Sequence, residues 1–284
     1  MSSGNGVIDR RVCRGRRLHG GSREGSTSVV RTNVLKQKLQ AGEQVIGVFM
    51  PVPSPQLVEV SAVAGFDFVL IDNEHGPIGP ETAYSMILAA EASGITAIAR
   101  VGLRDKQEVL KFLDLGIQGI MSPQINTAEA AEDAVAASRF VPRGTRGLAG
   151  GRAFGFGVSI SPSEAAKRLN EEMLSLVQFE HVDAVAELEE IVQIPDLDVL
   201  FVGPNDLAQS IGHPGEPGHP EVTKIADQAV AVAKAAGVKT GTTAFTLEAA
   251  RAALDRGFDM VVANAPGLYL QAASAIVKGT FPGR

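Results

Sequence analysis

Short apolar runs alternate with helical patterns along this chain, eight runs between Val45 and Ala265, and no tight-turn signal joins any two of them. Parallel strands need long crossovers, usually helices, so the alternation predicts an α/β fold with a parallel sheet. Strands are predicted at 45–50, 66–72, 96–100, 119–124, 174–180, 199–204, 239–244 and 260–265. Helices are predicted at 55–64, 80–93, 105–114, 127–138, 163–173, 221–236, 247–256 and 267–278, with shorter ones through Val192 and near Asp206. Ser54-Pro55 gives the first of these an N-cap and a first-turn proline. Eight such units point to a closed (β/α)₈ barrel. The alternative, an open doubly wound sheet, needs a glycine-rich phosphate turn after its first strand, and Met50-Pro51-Val52-Pro53 is not one.

With 284 residues, 45% of them apolar, the chain can bury a full core in one large domain. A net charge of −6 argues against nucleic acid, because neutralising phosphates needs a basic face. Six arginines fall in residues 1–30 against Asp9 and Glu24, among many Gly and Ser and with no regular period. That segment is expected to be a disordered basic tail, either an extension or an organellar transit segment, ahead of a single domain at 31–284. The only cysteine, Cys13, can make no internal disulfide, and no apolar run reaches the length of a membrane span. A cytoplasmic protein with a small-molecule partner is expected.

In a barrel of this kind the chemistry sits at the C-terminal ends of the strands. Asp72-Asn73-Glu74-His75 ends the second predicted strand, Arg100 the third, Glu180 the fifth, and Asn205-Asp206 follows the sixth. Glu180 and Asp206 form a pair of hard oxygen ligands suited to Mg²⁺, Mn²⁺ or Co²⁺ with positions left open for water and substrate. Such an ion would polarise the carbonyl of a 2-oxo acid. Gln178 lies two residues before Glu180 and so shares its side of the strand. His75 is the candidate general base, and Arg100 the candidate holder of an enolate or carboxylate oxygen. Asp72 and Glu74 are candidates for a second shell of water or metal. The bland alternative is that strand-end acids cap the helices that follow them.

Asp114 closes a predicted helix, where its charge opposes the helix dipole. Its own barrel would put it at the base, so contact with a catalytic group would be made on a neighbouring subunit; simple solvent exposure is the alternative. The glycine-rich stretch 147–157 carries no Lys-Ser/Thr pair and reads as a flexible active-site loop. His213 and His219 read as solvated.

These residues resemble the metal-dependent pyruvate aldolases of the HpcH/HpaI family, over about Asn33 to the C-terminus. The likeness rests on Gly65-Phe66-Asp67-Phe68, Asp72-x-Glu74-His75-Gly76-Pro77, Arg100, Leu113-Asp114-x-Gly116 and Pro142-x-Gly144-x-Arg146-Gly147, continuing through Asn170-Glu171-Glu172, Gln178-x-Glu180 and Gly203-Pro204-x-Asp206-Leu207. It implies a TIM barrel of the phosphoenolpyruvate/pyruvate type whose last helix is exchanged between subunits, commonly in a hexamer. It also implies reversible cleavage of a 4-hydroxy-2-oxo acid to pyruvate and an aldehyde. His75 would be the base, Arg100 the enolate stabiliser and Asp114 the group that raises the histidine's basicity. Glu180 and Asp206 would hold the metal, with Gln178, Asn205 and Asp206 on the substrate. Phe179, His181 and Ala208 depart from residues common in relatives. A CoA-ester lyase, an enolate-trapping synthase and a degenerate barrel acting as a binding module are the alternatives.

Overall fold

A computed structural model describes residues 30–102, 106–158 and 160–281. Eight parallel strands close into a barrel in sequence order. They are β1 (Val45–Met50), β2 (Phe68–Asp72), β3 (Thr96–Arg100), β4 (Gly119–Ser122), β5 (Leu174–Phe179), β6 (Val199–Val202), β7 (Lys239–Thr243) and β8 (Met260–Asn264). Each expected strand is present, several of them shorter than the apolar run that announced it. The (β/α)₈ expectation holds.

Side chains of alternate strand residues point to opposite faces, which divides the core. Phe68, Leu70, Ile98, Leu176, Phe201 and Met260 fill the barrel interior. Val48, Val69, Ile71, Ala97 and Ala99 pack outward with helix residues such as Val58, Met86 and Phe112. The interior is filled to contact: a Cβ on Gly47 would lie 2.3 Å from the Phe68 ring. Strand register also sets function, because Asp72 of β2 is the direct partner of Arg100 of β3.

The helices around the barrel begin with α1 (Val34–Gln40), α2 (Pro55–Val63), α3 (Pro80–Ser93), α4 (Lys106–Asp114), α5 (Ala128–Ala137) and α6 (Pro162–Glu172). They continue with α7 (Leu188–Ile191), α8 (Pro204–Ser210), α9 (Pro220–Ala235), α10 (Leu247–Asp255) and α11 (Ala265–Thr280). Ser54 caps α2 by accepting the Leu57 N–H at 3.2 Å, as its spacing predicts.

The sequence reading did not anticipate α1, which plugs the base of the barrel with Leu35 and Leu39. Its N-cap Asn33 is fully buried, accepting from the Lys36 N–H at 3.1 Å and donating to the Gln118 and Glu172 carbonyls at 2.8 and 2.9 Å. Beside it Asp198 pairs with Lys36 at 3.1 Å and with the fully buried Arg139 at 3.2 Å. Val30, assigned by the sequence reading to the basic tail, is buried with Phe140 and Phe154. The remainder of that segment lies outside the described residues.

None of the residues of α11 is buried, and Tyr269, Leu270 and Ile276 expose apolar surface. Among the described residues no helix is long and apolar enough to cross a membrane.

Candidate active site

The ends of β2 and β3 meet through an ion pair that their register makes unavoidable. Arg100 Nε donates to Asp72 Oδ1 at 2.9 Å and Nη2 to Asp72 Oδ2 at 2.7 Å. This two-point clamp fixes the plane of the guanidinium, and the face of that plane lies over the Phe49 ring at 4.7 Å. Nη1 is 3.2 Å from Glu74 Oε2 and reaches Gln178 Oε1 at 3.5 Å. Asp72 Oδ1 also accepts the backbone N–H groups of Glu74 and His75 at 3.2 and 3.3 Å, so one carboxylate shapes the turn that carries the candidate base. The His75 side chain is 68% exposed, and its Nε2 lies 3.9 Å from Glu74 Oε2.

The end of β5 supplies the second part of the site. Glu180 is buried; its Oε1 accepts the Gln124 N–H at 2.7 Å and its Oε2 accepts Gln178 Nε2 at 2.9 Å. Burial, opposed by the Gln124 hydrogen bond, pushes its carboxyl up to about 7, with the charges of Asp206 and Glu74 adding to the rise. Gly203 makes room for that carboxylate, since a Cβ there would lie 2.8 Å from Glu180 Oε2. Asn205 and Asp206 stand in the first turn of α8.

Two cavities open among these residues, of about 380 and 330 Å³, with His75 and Asp206 in the wall of both. The larger also takes Asp72, Arg100, Gln178 and Asn205; the smaller takes Glu74 and Glu180. Thus eight of the sequence-derived candidates gather at one end of the barrel. Asp114 does not join them within one chain: it ends α4 at the base and pairs with the buried Arg146 at 3.1 Å.

The 147–157 stretch is also away from this mouth. Gly151 lies beside Asp114, and Arg152 bonds the Leu115 carbonyl at 2.8 Å. As an active-site loop of its own barrel, that reading is corrected by these contacts, which tie it to the base. His213 and His219, read as solvated, are half-exposed and lie side by side. Their rings stack at 3.6 Å, and their ligand atoms lie with that of Glu221 within 4.8 Å of one another. A ring nitrogen's lone pair lies in the ring plane, so two near-parallel rings as they stand do not direct both pairs at one ion.

The donor set at the mouth fits a hard divalent cation better. Glu180, Asp206 and Glu74 crowd negative charge, and among the described residues the nearby guanidinium of Arg100 is clamped by Asp72 and shared with Glu74. Glu180 and Asp206 are oxygen donors that would hold such an ion. Sequence reasoning missed Gln124, Gly203, Phe49, Asn126 and Asn264, which line or shape the two cavities. All lie at or just past strand ends, so the rule that found Arg100 could have found them.

Residues 45–267 match the profile of one family, described as HpcH/HpaI aldolase/citrate lyase. The chain belongs to that HpcH/HpaI family. Among its relatives, a hydroxypyruvate/pyruvate aldolase of Sagittula stellata is 35% identical over 85% of this chain and 95% of its own length. A 2-keto-3-deoxy-L-rhamnonate aldolase of Escherichia coli is 32% identical over 81% of this chain and 86% of its own. A crystal structure of an HpcH/HpaI aldolase/citrate lyase family protein from Burkholderia cenocepacia J2315 superposes with a TM-score of 0.83 at 34% identity. That match covers 88% of this chain and 99% of the other. HpcH/HpaI membership agrees with the resemblance read from the strand-end motifs.

Proposed function

We propose that this HpcH/HpaI chain is a divalent-metal-dependent, class II pyruvate aldolase that reversibly cleaves a 4-hydroxy-2-oxo acid to pyruvate and an aldehyde. The observation that carries this reading is the Asp72-oriented Arg100, standing beside a buried carboxylate in a cavity also lined by Gln178, Asn205 and Asp206. Aldolase relatives at 32 and 35% identity support it.

Mg²⁺, Mn²⁺ or Co²⁺ held by Glu180 and Asp206 would supply Lewis acidity at the 2-oxo group. His75 takes the 4-hydroxyl proton, through water, as the C3–C4 bond breaks and the aldehyde leaves. The electron pair moves onto the three-carbon fragment as an enolate, whose oxygen charge Arg100 stabilises; protonation at C3 completes pyruvate. Gln178 and Asn205 orient the oxo acid. Asp72 positions Arg100 and the His75 turn, and Glu74 occupies Arg100 Nη1 until substrate arrives.

We also propose a cytoplasmic homo-oligomer, a hexamer with α11 exchanged between subunits. The wholly unburied α11 supports that assembly. In it the base of one barrel would bring Asp114 to the His75 of another. A CoA-ester lyase reading is disfavoured because, among the described residues lining the two cavities, Arg100 is the only Lys or Arg available to a nucleotide phosphate.

Oxaloacetate tests the assignment, because it reaches the same enolate by losing CO₂ with no hydroxyl proton to remove. His75→Ala is expected to lose most aldol cleavage and keep measurable decarboxylation, whereas Arg100→Ala loses both by orders of magnitude. A borohydride-trapped lysine adduct with pyruvate, or full activity after chelation, would overturn the class II assignment.

A further inference from the structure

Among the described residues, three that are not glycine hold a left-handed backbone: Gln124 at φ 56°, Phe156 at 58° and Asp196 at 67°. Two of them have a local account. Phe156 stands in a turn between Gly155 and Gly157, both also left-handed. Asp196 is of a type that visits this region readily, and Arg143 holds it there through both carboxylate oxygens. Gln124 has neither, and of the three it alone stands at the mouth of the barrel, in the wall of the smaller cavity. A straight-chain residue at positive φ carries a steric cost that glycine would avoid, and such costs collect where the surrounding structure imposes the geometry. Here the flanks impose it: Pro123 and Ile125 are buried, while the Gln124 side chain is exposed.

The conformation delivers a hydrogen bond. β4 ends at Ser122, opposite Val177 of β5, and a strand running on from there would give its N–H groups to neighbouring backbone carbonyls. The turn at Gln124 breaks that ladder. It sends Ile125 into the outer core with Ala131 and Val177, and leaves the Gln124 N–H facing the end of β5, where it meets Glu180 Oε1 at 2.7 Å. The second bond to this carboxylate, from Gln178 Nε2 to Oε2, is 2.9 Å long. A side-chain amide can rotate away from its partner, whereas a backbone N–H moves only with the chain. Each oxygen is thus held by one bond and keeps a lone-pair direction for an ion.

We propose that Gln124 is a positioning residue for the metal site, its left-handed backbone aiming the Glu180 carboxylate at the ion. Residue 124 then acts through the φ it tolerates and not through its side-chain atoms. This inference rests on the reading of Glu180 as a metal ligand.

The test is a substitution series graded by tolerance of positive φ, read as Mn²⁺ affinity in calorimetric titration of metal-free protein. Gln124→Gly and Gln124→Asn, which adopt the left-handed region readily, are expected to bind Mn²⁺ within about threefold of wild type. Gln124→Val, whose branched Cβ disfavours that region, should turn the N–H away and weaken binding about tenfold or more, the loss of one hydrogen bond to a charged group. A residue that mattered only by packing would follow size and place glycine at the bottom of the series. Wild-type affinity in folded Gln124→Val, or a Gln124→Gly as weak as Gln124→Val, overturns the proposal. Amide hydrogen exchange gives a second reading that does not depend on the valine variant folding. In metal-free protein the amide of residue 124 should exchange about tenfold or more faster in Glu180→Ala than in wild type; protection unchanged by that substitution also overturns the proposal. If Glu180→Ala binds Mn²⁺ as wild type does, the metal placement beneath has failed; if it loses Mn²⁺ while folded Gln124→Val keeps it, the positioning alone has failed.

Discussion

Adding a single methyl group at Gly203 should weaken metal binding while the barrel still folds. The backbone there has φ −97°, which alanine adopts freely, so Gly203→Ala introduces no conformational strain. The new Cβ would stand 2.8 Å from Glu180 Oε2 and 2.9 Å from Glu180 Cβ. Ordinary contact requires the carboxylate to retreat by about half an ångström or more, and the Glu180 Cβ to move with its backbone by a similar amount. Two short bonds resist that movement, from the Gln124 N–H at 2.7 Å and Gln178 Nε2 at 2.9 Å. Losing the equivalent of one bond to a charged group costs about 1.5–3 kcal/mol, which is roughly ten- to a hundredfold in affinity. Calorimetric titration of metal-free protein with Mn²⁺ should show that weakening, while the metal-free variant still unfolds cooperatively at a somewhat lower melting temperature, since the Glu180 Cβ must also shift. An unchanged Mn²⁺ affinity in the folded variant would refute the placement of Glu180 in the metal's coordination shell.

Chelation should abolish aldol cleavage, and Mg²⁺, Mn²⁺ or Co²⁺ should restore it; Glu180→Ala and Asp206→Ala should each lose Mn²⁺ binding in the same titration. Asp72→Ala should leave Mn²⁺ affinity nearly intact yet lower oxaloacetate decarboxylation by about a hundredfold or more, because Arg100 loses both bonds that aim it. Equal losses of metal binding and turnover would contradict this. At the base, Asp198→Ala strands the buried Lys36 and Arg139 cations and should cost about 3–5 kcal/mol in urea unfolding. Burial already holds Lys36 below its ordinary value of 10.5, so the unfolded chain binds the extra proton and stability rises with pH across the window beneath that value. The variant should therefore lose least at alkaline pH, and a deficit independent of pH would show that Lys36 is not the group left unpaired.

Much of the architecture was legible because strands buried on both faces write themselves as apolar runs, and a residue that breaks the run marks a strand end. Arg100, Glu180 and the 72–75 turn were found in this way. The base was harder to read. Helix α1 spans seven residues, and its hold on the barrel comes from Asn33, Lys36 and two leucines that meet Gln118, Glu172 and Asp198 only after closure. Nothing local in Val34–Gln40 announces those partners. Asp72 was legible as a site residue but not as the clamp of Arg100, since that role depends on which residues of β2 and β3 stand opposite. Likewise the 147–157 glycines read as a flexible active-site loop because glycine content says nothing about which end of a barrel a loop faces.

The opposition of Asp72 and Arg100 in the β2–β3 ladder makes the site a reporter on assembly. Sliding β3 by one residue would turn Arg100 toward the helix layer and carry Ala99 or Val101 into its place. A barrel closed out of step could hide its apolar residues almost as well, yet it would present no oriented guanidinium to an enolate. Enolate chemistry recovered during refolding thus counts correctly indexed barrels, where spectroscopic measures of helix and strand content count closed ones of either kind.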